Sequence, residues 1–371
     1  MEKNMHKEYT LPEYPCEADM WDVLAAERRP IVVYGMGNGA DKLLSRFEKY
    51  NITVADFFAS DGFVRGHSFH GKRVKSFSEI KATYPDFVVV VSFASSLPEV
   101  IERITEISAE YDTYVPDMPV AGDEYFDREL YNANYEKIVR ASEALADARS
   151  RSLFAAIVTY KLSGRIEPLL DSATAKQEGY ALVNRKEVHS YVDLGAYNGD
   201  TLREAVENFP TLERAILFEP DRKNLARLER RCADILDSLD VRTYNAAAWS
   251  ADGEGSFSTS GNRNSSVDST RSFEHREDTV RLLAVDSVVD TPVDYMKYDV
   301  EGAEYEALLG SERTIDLYTP TLLVSLYHRS RDIFFLINYL SDKYGDRYDL
   351  VLHRLYCLPA WEINLFLLPK T

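Results

Sequence analysis

Tyr191-Val192-Asp193-Leu194-Gly195-Ala196-Tyr197-Asn198-Gly199-Asp200-Thr201, then a helical run, then Ile216-Leu217-Phe218-Glu219-Pro220-Asp221, decides the fold of this 371-residue chain. An apolar strand runs into a glycine-bearing turn and a helix. A second apolar strand follows and ends on a carboxylate. That order is half of a nucleotide-binding βαβ unit. The glycines are spaced G-x-x-x-G, not G-x-G-x-x-G; Asp193 precedes the loop and Asp200 opens the helix. A pyrophosphate at that helix N-terminus would meet a carboxylate where it needs bare N–H groups. The bland alternative is any α/β domain with a tight βα turn.

A cationic ligand without phosphate suits such a loop. S-adenosylmethionine carries a sulfonium and an ammonium, and Glu219 stands where a carboxylate can grip ribose hydroxyls. The candidate cofactor residues are Asp193, Gly195, Ala196, Tyr197, Gly199, Thr201, Glu219 and Pro220. Asn245-Ala246-Ala247-Ala248-Trp249 follows a further strand. Its small residues would let a flat ring approach the backbone, which adds Asn245 and Ala246 to the candidates; ordinary tight packing explains them equally well.

Working outward, Ile31 to Tyr34 is a buried-strand run. Gly35-Met36-Gly37-Asn38-Gly39-Ala40 and a helix to about Tyr50 follow. Ile52 to Phe58 and Phe87 to Phe93 read as strands, and Leu97 to Ile107 as a helix. Gly35, Gly37 and Ala40 fit the G-x-G-x-x-G/A fingerprint, with Asp56 at the spacing of a ribose-binding acid and Asp61 as a second choice. This unit either holds a dinucleotide or nucleotide-sugar, or is a degenerate scaffold for dimerisation or substrate presentation. From Ala121 to about Leu170, apolar residues recur at helical spacing among charges. Later strands are expected at 242–244, 281–285, 295–298, 322–326, 349–352 and 362–368, with helices after Gly302, Ser311 and Ser330. The expected fold is α/β with two doubly wound domains: a leader (1–28), a smaller Rossmann-like domain (29–120), a helical connector (121–176) and a larger domain (177–371). Strands alternating with helices demand a largely parallel sheet.

Lys297-Tyr298-Asp299-Val300-Glu301-Gly302-Ala303-Glu304 is the second informative stretch. Its strand ends at Asp299, so Asp299 and Glu301 project at the carboxyl edge beside the Gly195 loop. Two carboxylates there could serve as a general base, a Mg²⁺ site or a grip on substrate hydroxyls, or simply cap the next helix. Ser325-Leu326-Tyr327-His328-Arg329 ends another strand, and His328 could take a proton near neutral pH. The polar stretch from Ser256 to Val267 reads as a loop.

Lys plus Arg count 43 and Asp plus Glu 61, a formal charge of −18. That surface repels a duplex or an anionic membrane, so no nucleic-acid partner is expected. No apolar run is long enough to span a bilayer, and no signal segment stands at the start, so a cytoplasmic location is expected. Cys16, Cys232 and Cys357 show no metal-ligand spacing, and no dedicated metal site is expected.

Four stretches in order, Val192–Thr201, Phe218–Asp221, Gly261-Asn262-Arg263-Asn264-Ser265-Ser266 and Lys297–Glu304, together resemble the FkbM family of S-adenosylmethionine-dependent methyltransferases. The likeness covers roughly residues 177 to 371 and includes Tyr327-His328 and Trp361-Glu362. It implies a class I methyltransferase sheet and methyl transfer to a hydroxyl of a sugar, glycan or related metabolite. It places Asp193, Gly195 and Glu219 at the cofactor, and Asp299, Glu301 and His328 at the reacting hydroxyl. Tyr197 and Leu194 depart from the usual residues. The first unit resembles Rossmann modules that precede some family members. A small-molecule or glycan acceptor and a homodimer are open on this reading. The rival is a non-catalytic nucleotide-sugar- or NAD-binding regulatory protein.

Overall fold

Four-residue apolar runs such as Val88–Val91 are buried on both faces, as the central strands of a parallel sheet must be. The computed structural model describes residues 7–60, 66, 68–258 and 277–370. Its first sheet is built from β1 (Ile31–Tyr34), β2 (Val54–Ala59), β5 (Lys75–Ser76), β6 (Val88–Val91) and β7 (Thr113–Tyr114), with β3 (Ser68–Phe69) and β4 (Lys72–Arg73) forming a small hairpin beside it. The order is β5-β2-β1-β6-β7, and every pairing is parallel.

The second sheet has the order β10-β9-β8-β14-β15-β17-β16. It comprises β8 (Ser190–Leu194), β9 (Arg214–Phe218), β10 (Asp240–Tyr244), β14 (Tyr295–Tyr298), β15 (Thr321–Ser325), β16 (Tyr348–Arg354) and β17 (Ile363–Pro369). The strand order reverses between β8 and β14, which opens a crevice outside their carboxyl ends. Strand β17 alone runs antiparallel, to both β15 and β16. Only a short loop joins β16 to β17, too short for the crossover that a parallel pairing needs. Strand β17 therefore begins where its neighbours end. Between β10 and β14, β11 (Ala247–Ala248), β12 (Gly253–Ser258) and β13 (Glu277–Leu283) make a separate small sheet. The segment expected as a loop from Ser256 thus starts inside a strand, because residues 253–258 pair antiparallel with β13. The Gly261–Ser266 motif and Asp61 lie outside the described residues.

The helix Ala148–Ser163 is exposed at Arg149 and Arg151 in its first turn, but from Leu153 to Leu162 it is buried on nearly every side and correspondingly apolar. Asp147 caps its start, and Gly164 ends it in the left-handed conformation. Leu153, Phe154, Ile157 and Val158 join Val32 and Phe58 of the first sheet and Val192 and Leu367 of the second in one continuous core. Lys161 and Asp117 form a buried ion pair there. Two further ties reach across. Ser95 N–H donates to Leu358 O (2.7 Å) and Leu358 N–H to Ser95 O (3.0 Å). Ala121 N–H donates to His328 O (2.8 Å). Among the described residues, no helix is long and apolar enough to cross a membrane. The three cysteines are free thiols.

Candidate active site

The first turn after β8 is fixed by backbone geometry. Gly195 has φ of 93°, and a Cβ there would lie 2.0 Å from the carbonyl oxygen of Asp299. Only glycine allows β8 and β14 to approach so closely at their ends. The amides of Gly195 and Ala196 both donate to Phe218 O, which ties the turn to β9. Glu219, buried at the end of β9, closes the arrangement. One carboxylate oxygen accepts from the Tyr197 amide (2.9 Å) and the other from the Asp221 amide (2.8 Å). Burial pushes its carboxyl up to about 7, against the pull of those two donors. Asn245 donates through its side chain to the carbonyls of Glu219 and Pro220, holding the same turn from β10.

A polar band crosses the sheet beneath this turn. Parallel register sets Tyr191 beside Tyr295 and Asp193 beside Lys297. The tyrosines stack with ring centroids 5.0 Å apart. Lys297 Nζ lies 3.4 Å from Asp193 Oδ1 and 3.2 Å from Asp299 Oδ2. Thr201 donates its hydroxyl to the other oxygen of Asp193. Burial alone would push the Lys297 ammonium down, but the Asp193 and Asp299 carboxylates hold it up. Burial would likewise push Asp299 up, but Lys297 and His328 overcome it and hold the carboxyl at about 2. Ser325 and Tyr327 each donate to Asp299 Oδ1 at 3.1 Å.

His328 is fully buried, with Nδ1 2.8 Å from Glu304 Oε1 and Nε2 3.5 Å from Asp299 Oδ1 and 3.8 Å from Glu301 Oε2. Burial would favour the neutral ring, yet these three carboxylates, Glu304 foremost, hold it protonated up to about 10. It is a cation at neutral pH, so the expectation that it takes a proton there does not fit its surroundings. Glu301 is the contrasting group. Its side chain keeps 36% of its surface open. Burial of the remainder pushes its carboxyl up to about 7, with His328 pulling the other way.

A cavity of about 1210 Å³ runs along this edge. It is lined by Gly195, Tyr197, Thr201, Glu219, Pro220, Asn245 and Ala246 on one flank and by Asp299 and Glu301 further along. The structure therefore brings together seven of the ten cofactor candidates and two of the three catalytic ones. Asp193, Ala196 and Gly199 lie beneath the surface. Asp193 is engaged by Lys297 and Thr201. Ala196 packs in the core with Leu202 and Leu217. A Cβ on Gly199 would meet Cys232 Sγ at 2.5 Å. Although Asp299 is paired with a lysine, it is not shut off from the Gly195 loop, since both line the cavity. Mg²⁺ does not fit beside it, because an ammonium and an imidazolium already stand within 3.5 Å. Among the described residues, no group of His, Cys, Asp or Glu is arranged to hold a metal ion.

Lys297 was not among the candidates, although its place two residues before Asp299 puts it on the same strand face. Glu304 was missed as the partner of His328. In the first sheet, Asp56 is not a free ribose acid: Lys75 Nζ lies 2.7 Å from it, and the Tyr84 hydroxyl donates to it. It also sits early in β2, opposite Val32, rather than at the carboxyl end.

Residues 193–348 match the family model described as Methyltransferase FkbM domain. Among solved structures, Methyltransferase FkbM from Methylobacillus flagellatus KT aligns with 97% of this chain and 94% of its own, at 19% identity and a TM-score of 0.66. That likeness extends the shared fold across both sheets. More distantly, an rRNA methylase from Streptococcus thermophilus aligns with 52% of this chain and 95% of its own, at 11% identity and a TM-score of 0.35. The O-methyltransferase TomG from Streptomyces achromogenes, solved with S-adenosylmethionine, aligns with 64% of this chain and 90% of its own, at 11% identity and a TM-score of 0.33. No curated protein sequence matches the chain.

Proposed function

We propose that this chain, whose residues 193–348 match the methyltransferase FkbM domain model, transfers a methyl group from S-adenosylmethionine to a hydroxyl of a polar acceptor, a sugar or glycan being the class favoured. Glu301 receives the hydroxyl proton. The observation that carries this reading is the contrast among the titratable groups at the cavity. Asp299 is too acidic to take a proton at neutral pH. His328 is already protonated. Glu301, held near 7 and open to the cavity, is matched to the task.

The residues present fit the cofactor. Each Glu219 oxygen accepts one backbone amide and keeps acceptor capacity for ribose hydroxyls. No pyrophosphate is needed, and Asp200 at the helix start would oppose one. When bound, S-adenosylmethionine supplies a methyl on a sulfonium, whose carbon–sulfur bond breaks as the carbon–oxygen bond forms. Asp299, kept ionised by Lys297 and steadied by Ser325 and Tyr327, accepts a hydrogen bond from a second, neighbouring hydroxyl of the acceptor and so orients the reacting one toward Glu301. Glu301 then accepts the proton. The His328 imidazolium, anchored by Glu304, places a cationic ring edge 3.5 Å from Asp299 and 3.8 Å from Glu301.

A methyl-transfer assay on hydroxylated and aminated acceptors tests this. Product methylated on oxygen supports the reading, together with a Glu301→Gln variant that loses kcat while keeping S-adenosylhomocysteine affinity. Methylation on nitrogen alone, or a wild-type rate in the variant, overturns it.

A further inference from the structure

The cavity is longer than its cofactor half. The candidate cofactor residues stand over the ends of β8, β9 and β10. The same space continues across β14, β15, β17 and β16, where Tyr180, Leu323, His353, Glu362, Asn364 and Phe366 line it. Glu362 reaches this edge only because β17 runs antiparallel and begins there. Among the described residues, no hydrogen bond or ion pair engages its carboxylate. It is largely buried all the same, and burial pushes its carboxyl up.

Its backbone is the second observation. Six non-glycine residues have positive φ among those described: Asn51, His70, Tyr197, Glu301, Thr319 and Glu362. Asn51 and Thr319 end helices in the left-handed conformation, and His70 turns the hairpin between β3 and β4. The other three, at φ of 46°, 54° and 58°, all line this one cavity. Such conformations persist where the surrounding structure holds them. For Glu362 the holder is visible. The loop from Leu355 closes on itself through Leu355 N–H to Glu362 O (3.1 Å). Leu358, within that loop, is bolted by two backbone hydrogen bonds to Ser95 beyond the carboxyl end of β6 in the first sheet.

We propose that Glu362 is the acceptor-binding carboxylate, accepting hydrogen bonds from hydroxyl or ammonium groups of the molecule to be methylated, and that the first sheet positions it through the Ser95–Leu358 bridge. This rests on the methyl-transfer reading of the same site. Glu362, which no cation pairs among the described residues, makes its part of the cavity receptive to neutral polyols and amino-polyols and disfavours an acceptor that sets a carboxylate or phosphate against it.

The test uses the full chain with three probe classes: methyl glycosides, amino-sugar glycosides and uronic acids. Wild type, Glu362→Gln and Ser95→Pro are compared by steady-state kinetics and by calorimetry with S-adenosylhomocysteine. Glu362→Gln is expected to raise the acceptor KM about tenfold or more, with kcat changed less and the S-adenosylhomocysteine Kd within about twofold of wild type. Ser95→Pro removes the amide that meets Leu358 O and should raise the same KM, again with the Kd preserved. Uronic acids should be the poorest probes. An unchanged KM in Glu362→Gln overturns the assignment, as does an equal loss of S-adenosylhomocysteine affinity, which would move Glu362 to the cofactor half. Failure of all three probe classes to be methylated or to stabilise the S-adenosylhomocysteine-loaded wild type also overturns it. Failure of wild type to bind S-adenosylhomocysteine would instead sink the methyl-transfer reading.

Discussion

Binding of S-adenosylhomocysteine should depend on pH through Glu219. The ribose hydroxyls need an anionic acceptor, and burial holds this carboxyl at about 7 rather than at its ordinary 4.5. The ionised form is the binding form, so affinity is full above 7 and falls as pH drops below it. Each pH unit below the pKa costs at most tenfold, or about 1.4 kcal/mol. Between pH 8.5 and pH 5.5 the loss should therefore reach about 30-fold, roughly 2 kcal/mol. Calorimetry across that range, in buffers of different ionisation enthalpy, reads both the Kd and the proton released on binding. Glu219→Gln keeps the shape, removes the titration and should bind weakly at every pH. Glu301 is held near the same value, so Glu301→Gln is the control, and it should keep the wild-type slope. A flat wild-type profile, or a slope that survives in Glu219→Gln, would refute the reasoning.

The methyl-transfer rate should rise with pH to a plateau above about 7, because Glu301 must be ionised to accept the proton, and Glu301→Gln should abolish that limb in a pH–rate profile. Glu304→Gln leaves the buried His328 imidazolium without its nearest partner, and thermal or denaturant unfolding should show a loss of about 3–5 kcal/mol. His328 is held up at about 10, above its unfolded value of 6.5, so its stabilising contribution is complete below 6.5 and disappears as pH rises through 10. Wild type should accordingly lose more stability between pH 7 and pH 10 than His328→Asn, and equal losses would remove the imidazolium from the account. Gly195→Ala must relieve a 2.0 Å contact with the Asp299 carbonyl at a φ of 93°, so it should cost about 3 kcal/mol or more and impair S-adenosylhomocysteine binding. Gly253→Ala, with open space around it, should stay within about 0.5 kcal/mol of wild type by the same unfolding assay.

What the sequence determined by itself is what short-range physics encodes. Short strand-forming runs such as Ile31–Tyr34 and Tyr191–Leu194, a glycine turn and a periodic helix suffice to place β8, Gly195 and Glu219 in order, because strand period, turn conformation and helix period are properties of neighbouring residues. The strand ends carrying Asp299 and Glu301 were legible for the same reason. The tertiary structure decided which charges meet. Asp193 and Lys297 lie 104 residues apart and pair only through the register of β8 against β14. Asp56 has the spacing of a ribose acid, yet Lys75 and Tyr84 take it. His328 has an ordinary ring but an acquired charge, because Glu304, Asp299 and Glu301 surround its buried imidazole. Glu362 enters the cavity because a short loop turns β17 antiparallel, and the helix Ala148–Ser163 joins two sheets that read as separate units. Protonation and pairing depend on burial and on partners brought from distant strands, and neither is a local property of the chain.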